Sequence, residues 1–262
     1  MRSLYIGATG MLAQQTNVDV ISNNIANMNT TAYTRRRAEF NDLLYQNIIR
    51  PGSQSSASQN MHPSGLQLGL GVRTAAVYRI TEGSGLINTT NTLDLAIQGR
   101  GYFQVELPEG KGTAYTRDGA FQRNGDGVIV THDGYIVQPE ITIPDNAVEV
   151  YINNSGEVWV KQDGETDEIN VGQIELATFI NEAGLEAMGQ NLFLETESSG
   201  APNVDNPDTE GFGSILQGYL ETSNVNAVSE ITELVSAQRA YEMNSKIITI
   251  SDEMLTTINQ MN

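Results

Sequence analysis

Apolar residues at seven-residue intervals mark both ends of this chain. Leu4, Met11, Val18 and Ile25 form one row, and Leu234, Tyr241, Ile248 and Leu255 form another. A heptad repeat keeps the apolar seam of a helix turned toward a neighbouring helix. Between the N-terminal row positions, Ala8 and Ser22 are small enough for close approach and Gln15 is polar. Asn23, Asn24, Asn27 and Asn29 crowd the end of that segment. Asn tolerates the left-handed C-terminal cap, so the helix is predicted to stop near 27–30. The C-terminal segment contains neither Pro nor Gly from Asn226 onward. Asn224 or Asn226 is the expected N-cap, with Glu230 near the first turn, where negative charge suits the helix dipole. A second row, Met243, Ile247, Ile250, Met254, Ile258 and Met261, widens the apolar stripe beyond what one partner helix covers.

Between the helices the pattern changes to short strands. Runs at 98–107, 128–131, 135–137, 148–152, 157–161 and 173–180 alternate with turn signals: Asp118-Gly119, Gly125-Asp126-Gly127, Asp133-Gly134, Ser155-Gly156 and Asp163-Gly164. Ser-, Gln- and Gly-rich residues 51–71 precede this region, and Gly-, Pro-, Asn- and Asp-rich residues 198–213 follow it. The predicted fold class is α+β: discontinuous terminal helices form a coiled-coil domain, with a mainly antiparallel β domain inserted. The expected divisions are an N-terminal helix at 1–30, an extended arm at 31–75, a β-rich domain at 76–217 and a C-terminal helix at 218–262. Helices of this kind are marginal without packing, so the ends are expected to order on assembly.

The formal net charge of −18 disfavours a polyanionic partner such as nucleic acid. The first forty residues run against that trend, with four Arg against Asp19 and Glu39. The absence of cysteine excludes disulfides, thiolate metal sites and a cysteine nucleophile. No apolar run has signal-peptide or membrane-spanning length, so the chain is expected to be cytosolic or exported without a cleaved signal.

Chemical motifs are weak throughout. Gly99-Arg100-Gly101 starts a dinucleotide-like pattern, but Gln104 breaks it and a strand follows, which fits a turn or bulge better. Asn124-Gly125-Asp126-Gly127 lacks calcium-loop spacing and reads as a hairpin turn. His62 and His132 have no second His at ligand spacing. No catalytic, cofactor or metal residue is expected. Arg35, Arg36 and Arg37 suit either a contact with acidic neighbours or a solvated segment, and Trp159 suits a core or subunit contact.

Residues 8–45, centred on Ser22, Asn23, Asn24, Ile25, Ala26 and Asn27 and followed by Asn29-Thr30-Thr31, resemble the N-terminal signature of bacterial flagellar rod and hook proteins. Residues 218–226 and 237–242 resemble that family's C-terminal signature. Residues 65–72 and 93–103, with the overall length, look like its distal-rod members. One departure is Ala32 before Tyr33, where the family more often has Gly.

The resemblance implies a structural subunit of a rigid, hollow helical rod that transmits torque across the periplasm. The terminal helices would form its inner tube. Its partners would be copies of itself, proximal rod proteins, the hook protein, the P and L rings, and the flagellar type III export apparatus. Alternatives are a proximal rod or hook subunit or, from another class, a secreted β-domain binding module or glycan-acting enzyme oligomerised by its helices.

Overall fold

A computed structural model describes residues 2–51, 64–108, 112–164 and 167–260, so His62 and Met261 lie outside the described residues. The chain divides into two compact units. One combines residues 1–26, 36–79 and 226–262; the other combines 27–35 and 80–225.

The first unit is built on helices α1 (Arg2–Ala26) and α2 (Ala227–Gln260). Near the start of α1, Gly7 lies against Ile248; near its end, Asn24 bonds to Glu230. The helices therefore run antiparallel. Glycine is what lets them come close: a Cβ on Gly7 would sit 2.9 Å from Ile248 Cγ1, and one on Gly10 2.9 Å from Asn244 Nδ2. This approach moves the buried line away from the large apolar row read from the sequence. The buried residues of α1 are Gly7, Ala13, Ile21 and Asn24, whereas Leu4, Met11, Val18 and Ile25 are half-buried. On α2, Glu230, Ala237 and Ser251 are buried, Leu234, Ile248 and Leu255 are half-buried, and Tyr241 is exposed.

The expected arm contains a ladder that the sequence did not announce. Strand Arg36–Asp42 pairs antiparallel with Val72–Arg79, and Tyr45–Ile49 pairs with Leu66–Gly69. Alternation is faint there because most of these side chains are exposed, so no buried face imprints a period of two.

The second unit is antiparallel β structure. Its largest sheet runs, in spatial order, Glu186–Gly189, Leu192–Leu194, Thr113–Thr116, Tyr102–Glu106, Ile136–Gln138, Ile129–Val130 and Gln122–Arg123. Leu176–Thr178 also pairs with the Tyr102–Glu106 strand and with Asn203–Asp205. Both faces of this sheet are covered. Phe103 and Val105 point into the main core with Phe121, Ile129, Ile143, Ile174, Leu176 and Ile215. Tyr102 points the other way, into a cluster with Tyr115, Phe179, Leu185 and Phe193. Successive residues of a strand face opposite sides, so one short strand anchors both layers.

A separate three-stranded sheet comprises Ala147–Ile152, Glu157–Gln162 and Glu168–Gln173. Val158 and Val160 are buried beneath it, while Trp159, on the other face, is half-buried and donates its indole N–H to Glu157 Oε2 at 3.2 Å. The expected continuous strand at 98–107 is two strands, Leu95–Gln98 and Tyr102–Glu106, separated by Gly99 and Gly101 at φ +124° and +143°. The run expected at 173–180 is likewise divided between Glu168–Gln173 and Leu176–Thr178.

Candidate assembly site

α2 is 34 residues long and turns only one side toward α1. Its remaining apolar residues stay in solvent: Val228, Ile231, Val235, Met243, Ile247, Ile250, Met254 and Ile258 are all exposed, with Ile250 at 45% and Met254 at 50%. The lower part of this stripe, Ile247, Ile250, Met254 and Ile258, recurs at three- and four-residue spacing, which aligns side chains along one helix face. A continuous apolar face of that length differs from a scatter of singly exposed residues and is the kind of patch that marks an interaction surface. On α1, Tyr5, Ile6 and Leu12 are also exposed.

The start of α2 is fixed by a side chain the sequence singled out. Asn226 is the N-cap of α2: its Oδ1 accepts the N–H groups of Val228 at 3.1 Å and Ser229 at 3.3 Å. Glu230 lies in the first turn as expected, but buried. Within the motif, Ser22, Asn23 and Ala26 are exposed, Ile25 and Asn27 half-buried, and Asn24 buried. The left-handed residue after α1 is not an Asn. It is Ala32, at φ +53° and 5% exposed, whose N–H bonds to Glu221 O at 2.9 Å.

In the second unit, three passes of the chain are tied together where its segments begin and end. Asn224 Oδ1 accepts the Arg35 N–H at 2.6 Å, and its Nδ2 donates to Ile80 O at 2.9 Å. Three residues earlier, the Glu221 carboxylate accepts Arg117 Nε at 2.8 Å and Ser84 Oγ at 2.8 Å. The ion pair is buried, its side chains 10% and 5% exposed. Arg117 also donates to Gly99 O at 3.0 Å and Gly101 O at 3.3 Å. Sequence reasoning missed this hub because its members lie more than 100 residues apart. Arg117 and Glu221 also line a cavity of about 790 Å³, together with the ion pair of the exposed Arg100 and the largely covered Glu182 at 3.0 Å.

The weak chemical motifs resolve into architecture. Asn124 caps a turn by accepting the N–H groups of Asp126 and Val128. Arg36 and Arg37 are exposed at the start of their strand, and His132 is exposed. Among the described residues no group of three or more His, Cys, Asp or Glu is placed to hold a metal, and no helix is long and apolar enough to cross a membrane. Charge is sharply divided. Eight acidic and eight basic residues fall in the first unit, against 24 acidic and six basic in the second, which therefore carries the whole formal −18.

Comparison with known proteins points the same way. The family described as flagella basal body rod protein matches residues 4–34, that of the flagellar hook protein FlgE/F/G D1 domain matches 96–160, and that of the flagellar basal body rod FlgEFG protein C-terminal matches 216–261. Flagellar basal-body rod protein FlgG of Caulobacter vibrioides is 58% identical over 261 residues, covering 100% of this chain and 99% of the relative. FlgG of Agrobacterium fabrum is 52% identical, covering 99% of each chain, and FlgG of Bacillus subtilis is 41% identical, covering 97% of each. Matched at both helical ends and in the β domain, and along its whole length by such relatives, the chain belongs to the flagellar basal-body rod protein family and is a structural subunit of the flagellar rod.

Proposed function

We propose that this chain builds the distal section of the rod, polymerising with copies of itself into a rigid, hollow helical shaft that carries motor torque across the periplasm to the hook. The observation that carries the reading is the uncovered apolar stripe of α2. Left in water, eight exposed large apolar side chains on one helix are costly; packed against helices of neighbouring copies they become an inner tube. A heterologous contact that does not close into a ring propagates as a helix, so one repeated patch suffices. In this reading residues 1–30 and 218–262 supply the inner layer, 31–75 the arm and 76–217 the outer layer. Leu4, Met11, Val18, Ile25, Leu234, Tyr241, Ile248 and Leu255 support assembly by shaping the helix pair. The role is mechanical and not enzymatic.

The remaining partners follow from a place in the rod: proximal rod proteins below, the hook protein above, and the P and L rings around it. Delivery is through the flagellar type III export apparatus, without a cleaved signal. The charge division favours this arrangement, because the electrically balanced unit can pack closely while the anionic one stays solvated.

Electron microscopy of purified basal bodies tests the proposal, using a strain that lacks the chain and one that carries Ile250→Asp. Both are expected to give a shortened rod without a hook. A complete rod lacking only the hook would reassign the chain to the hook, and normal basal bodies in either strain would refute the proposal.

A further inference from the structure

Asn24 and Glu230 are each 1% exposed, an unusual place for an amide and a carboxylate in a pair of amphipathic helices. The Asn24 side chain is used in three directions. Its Oδ1 accepts the Arg36 N–H at 2.9 Å, while its Nδ2 donates to Arg36 O at 2.8 Å and to Glu230 Oε2 at 3.1 Å. One amide thus joins the last turn of α1, the first residue of the Arg36–Asp42 strand and the first turn of α2. These bonds are directional, and burial makes them matter more, because a buried polar group that loses its partner bears the full cost of desolvation.

The apolar rows around the pair do not discriminate in this way. Leu4, Met11, Val18 and Ile25 flank the buried line, half-buried beside a helix whose own apolar row also repeats every seven residues, so a slip of one heptad would again bring apolar beside apolar. The same slip carries Asn24 about 10 Å away from Glu230 along the axis. Every copy of the chain also has both rows, so in an assembly α1 of one copy would find an equivalent apolar row on α2 of another.

We infer that Asn24 and Glu230 are the positioning residues that select the register and the partner of α1. They hold it against α2 of its own chain and fix the point at which the strand after it departs. A single buried polar contact within an apolar seam is a well-attested means of specifying register, at a cost in stability.

Cysteine cross-linking of the full chain tests this, since the sequence contains no cysteine. Gly10→Cys with Asn244→Cys reports the native register. Gly10→Cys with Ser251→Cys, in the presence of Asn244→Ala to clear the space, reports a slip of one heptad. With Asn24 and Glu230 intact, only the native pair should close, and only within a monomer. Two altered backgrounds are then compared: Asn24→Leu with Glu230→Leu, which makes the junction apolar, and Asn24→Asp, which keeps its shape but removes the donor. Each should retain the helical circular dichroism signal while the cross-links become a mixture of native, slipped and interchain species. Exclusive native cross-linking within monomers in both backgrounds would overturn the inference. So would loss of the helical signal in both, which would make the pair a stability element and not a selector.

Discussion

Replacing Arg117 by Met tests whether the buried hub holds the β unit together. The change removes the guanidinium from Glu221, whose side chain is 5% exposed, and from the carbonyls of Ile97, Gly99 and Gly101. Removing one member of a buried ion pair leaves a charge in a poorly solvated place and typically costs about 3–5 kcal/mol. Because both partners are well buried, solvent screening does not reduce that figure as it would at the surface. For a unit of this size the loss corresponds to a fall in melting midpoint of roughly 10 °C. The assay is built into the sequence: Trp159 is the only tryptophan and lies in the β unit, so its fluorescence follows that unit without background from the helices. Denaturant unfolding monitored by Trp159 should shift to lower concentration at nearly unchanged slope. Arg117→Met combined with Glu221→Met should recover part of the loss, since no charge is stranded, but not all of it, because three carbonyls still lack their donor. A single variant within about 1 kcal/mol of the parent would refute the argument, because that is the range of an exposed ion pair.

Ala32→Val is expected to destabilise the β unit by about 2 kcal/mol or more, because a β-branched side chain resists the left-handed backbone that Ala32 occupies. Ala32→Gly should stay within about 1 kcal/mol of the parent, since relief of the left-handed strain offsets the loss of a buried methyl group; Trp159 unfolding curves distinguish the two. Gly7→Val should loosen the helix pair by about 1–3 kcal/mol, because its Cβ would meet Ile248 at 2.9 Å; far-ultraviolet circular dichroism should show earlier helix melting while the Trp159 transition stays put. The Tyr115 phenol is pushed above its ordinary pKa of 10.0, first by burial and then by the nearby Glu195 charge. Its raised folded-state pKa means that the associated stability is fully present below about pH 10 and is lost as pH rises through the higher value. Tyr115→Phe should therefore lose less stability than the parent above pH 10, and parallel loss in both chains would argue against the assignment.

The sequence carried the terminal helices and the turn-rich middle well, because both leave periodic traces. A heptad row survives in composition whatever the helix packs against, and pairs such as Asp133-Gly134 and Ser155-Gly156 mark tight turns directly. The identity of the buried line was not legible. It depends on Gly7 and Gly10 admitting the neighbouring helix, and glycine reads equally well as a helix-weakening residue. The same applies to Asn24, which resembled a capping residue in sequence but lies in the helix-pair interior. The arm ladder lacked an alternation to read because it buries little, and the Arg117–Glu221 pair lacked any local trace because its members are distant in sequence. The exposed stripe on α2 was partly visible as a second apolar row, though which row faced inward required the three-dimensional pairing.

The clamp at Asn224 bears on the order in which the molecule forms. Asn24 and Glu230 are 206 residues apart, so closing the helix pair from an unstructured chain means closing a very long loop. Once the β unit has folded, Asn224 holds Arg35 and Ile80 beside it, and only the short stretches from 24 to 35 and from 224 to 230 remain to be ordered. Because loop entropy grows with the logarithm of length, this short circuit lowers the closure cost by roughly 2 kcal/mol. The β unit is therefore predicted to act as the nucleus for the helix pair, although the N-terminal helix is the first part of the chain to be synthesised. In stopped-flow refolding, Trp159 fluorescence should recover before the helical signal at residues 2–26 and 227–260. Simultaneous or reversed recovery would show that the helices find each other without the clamp.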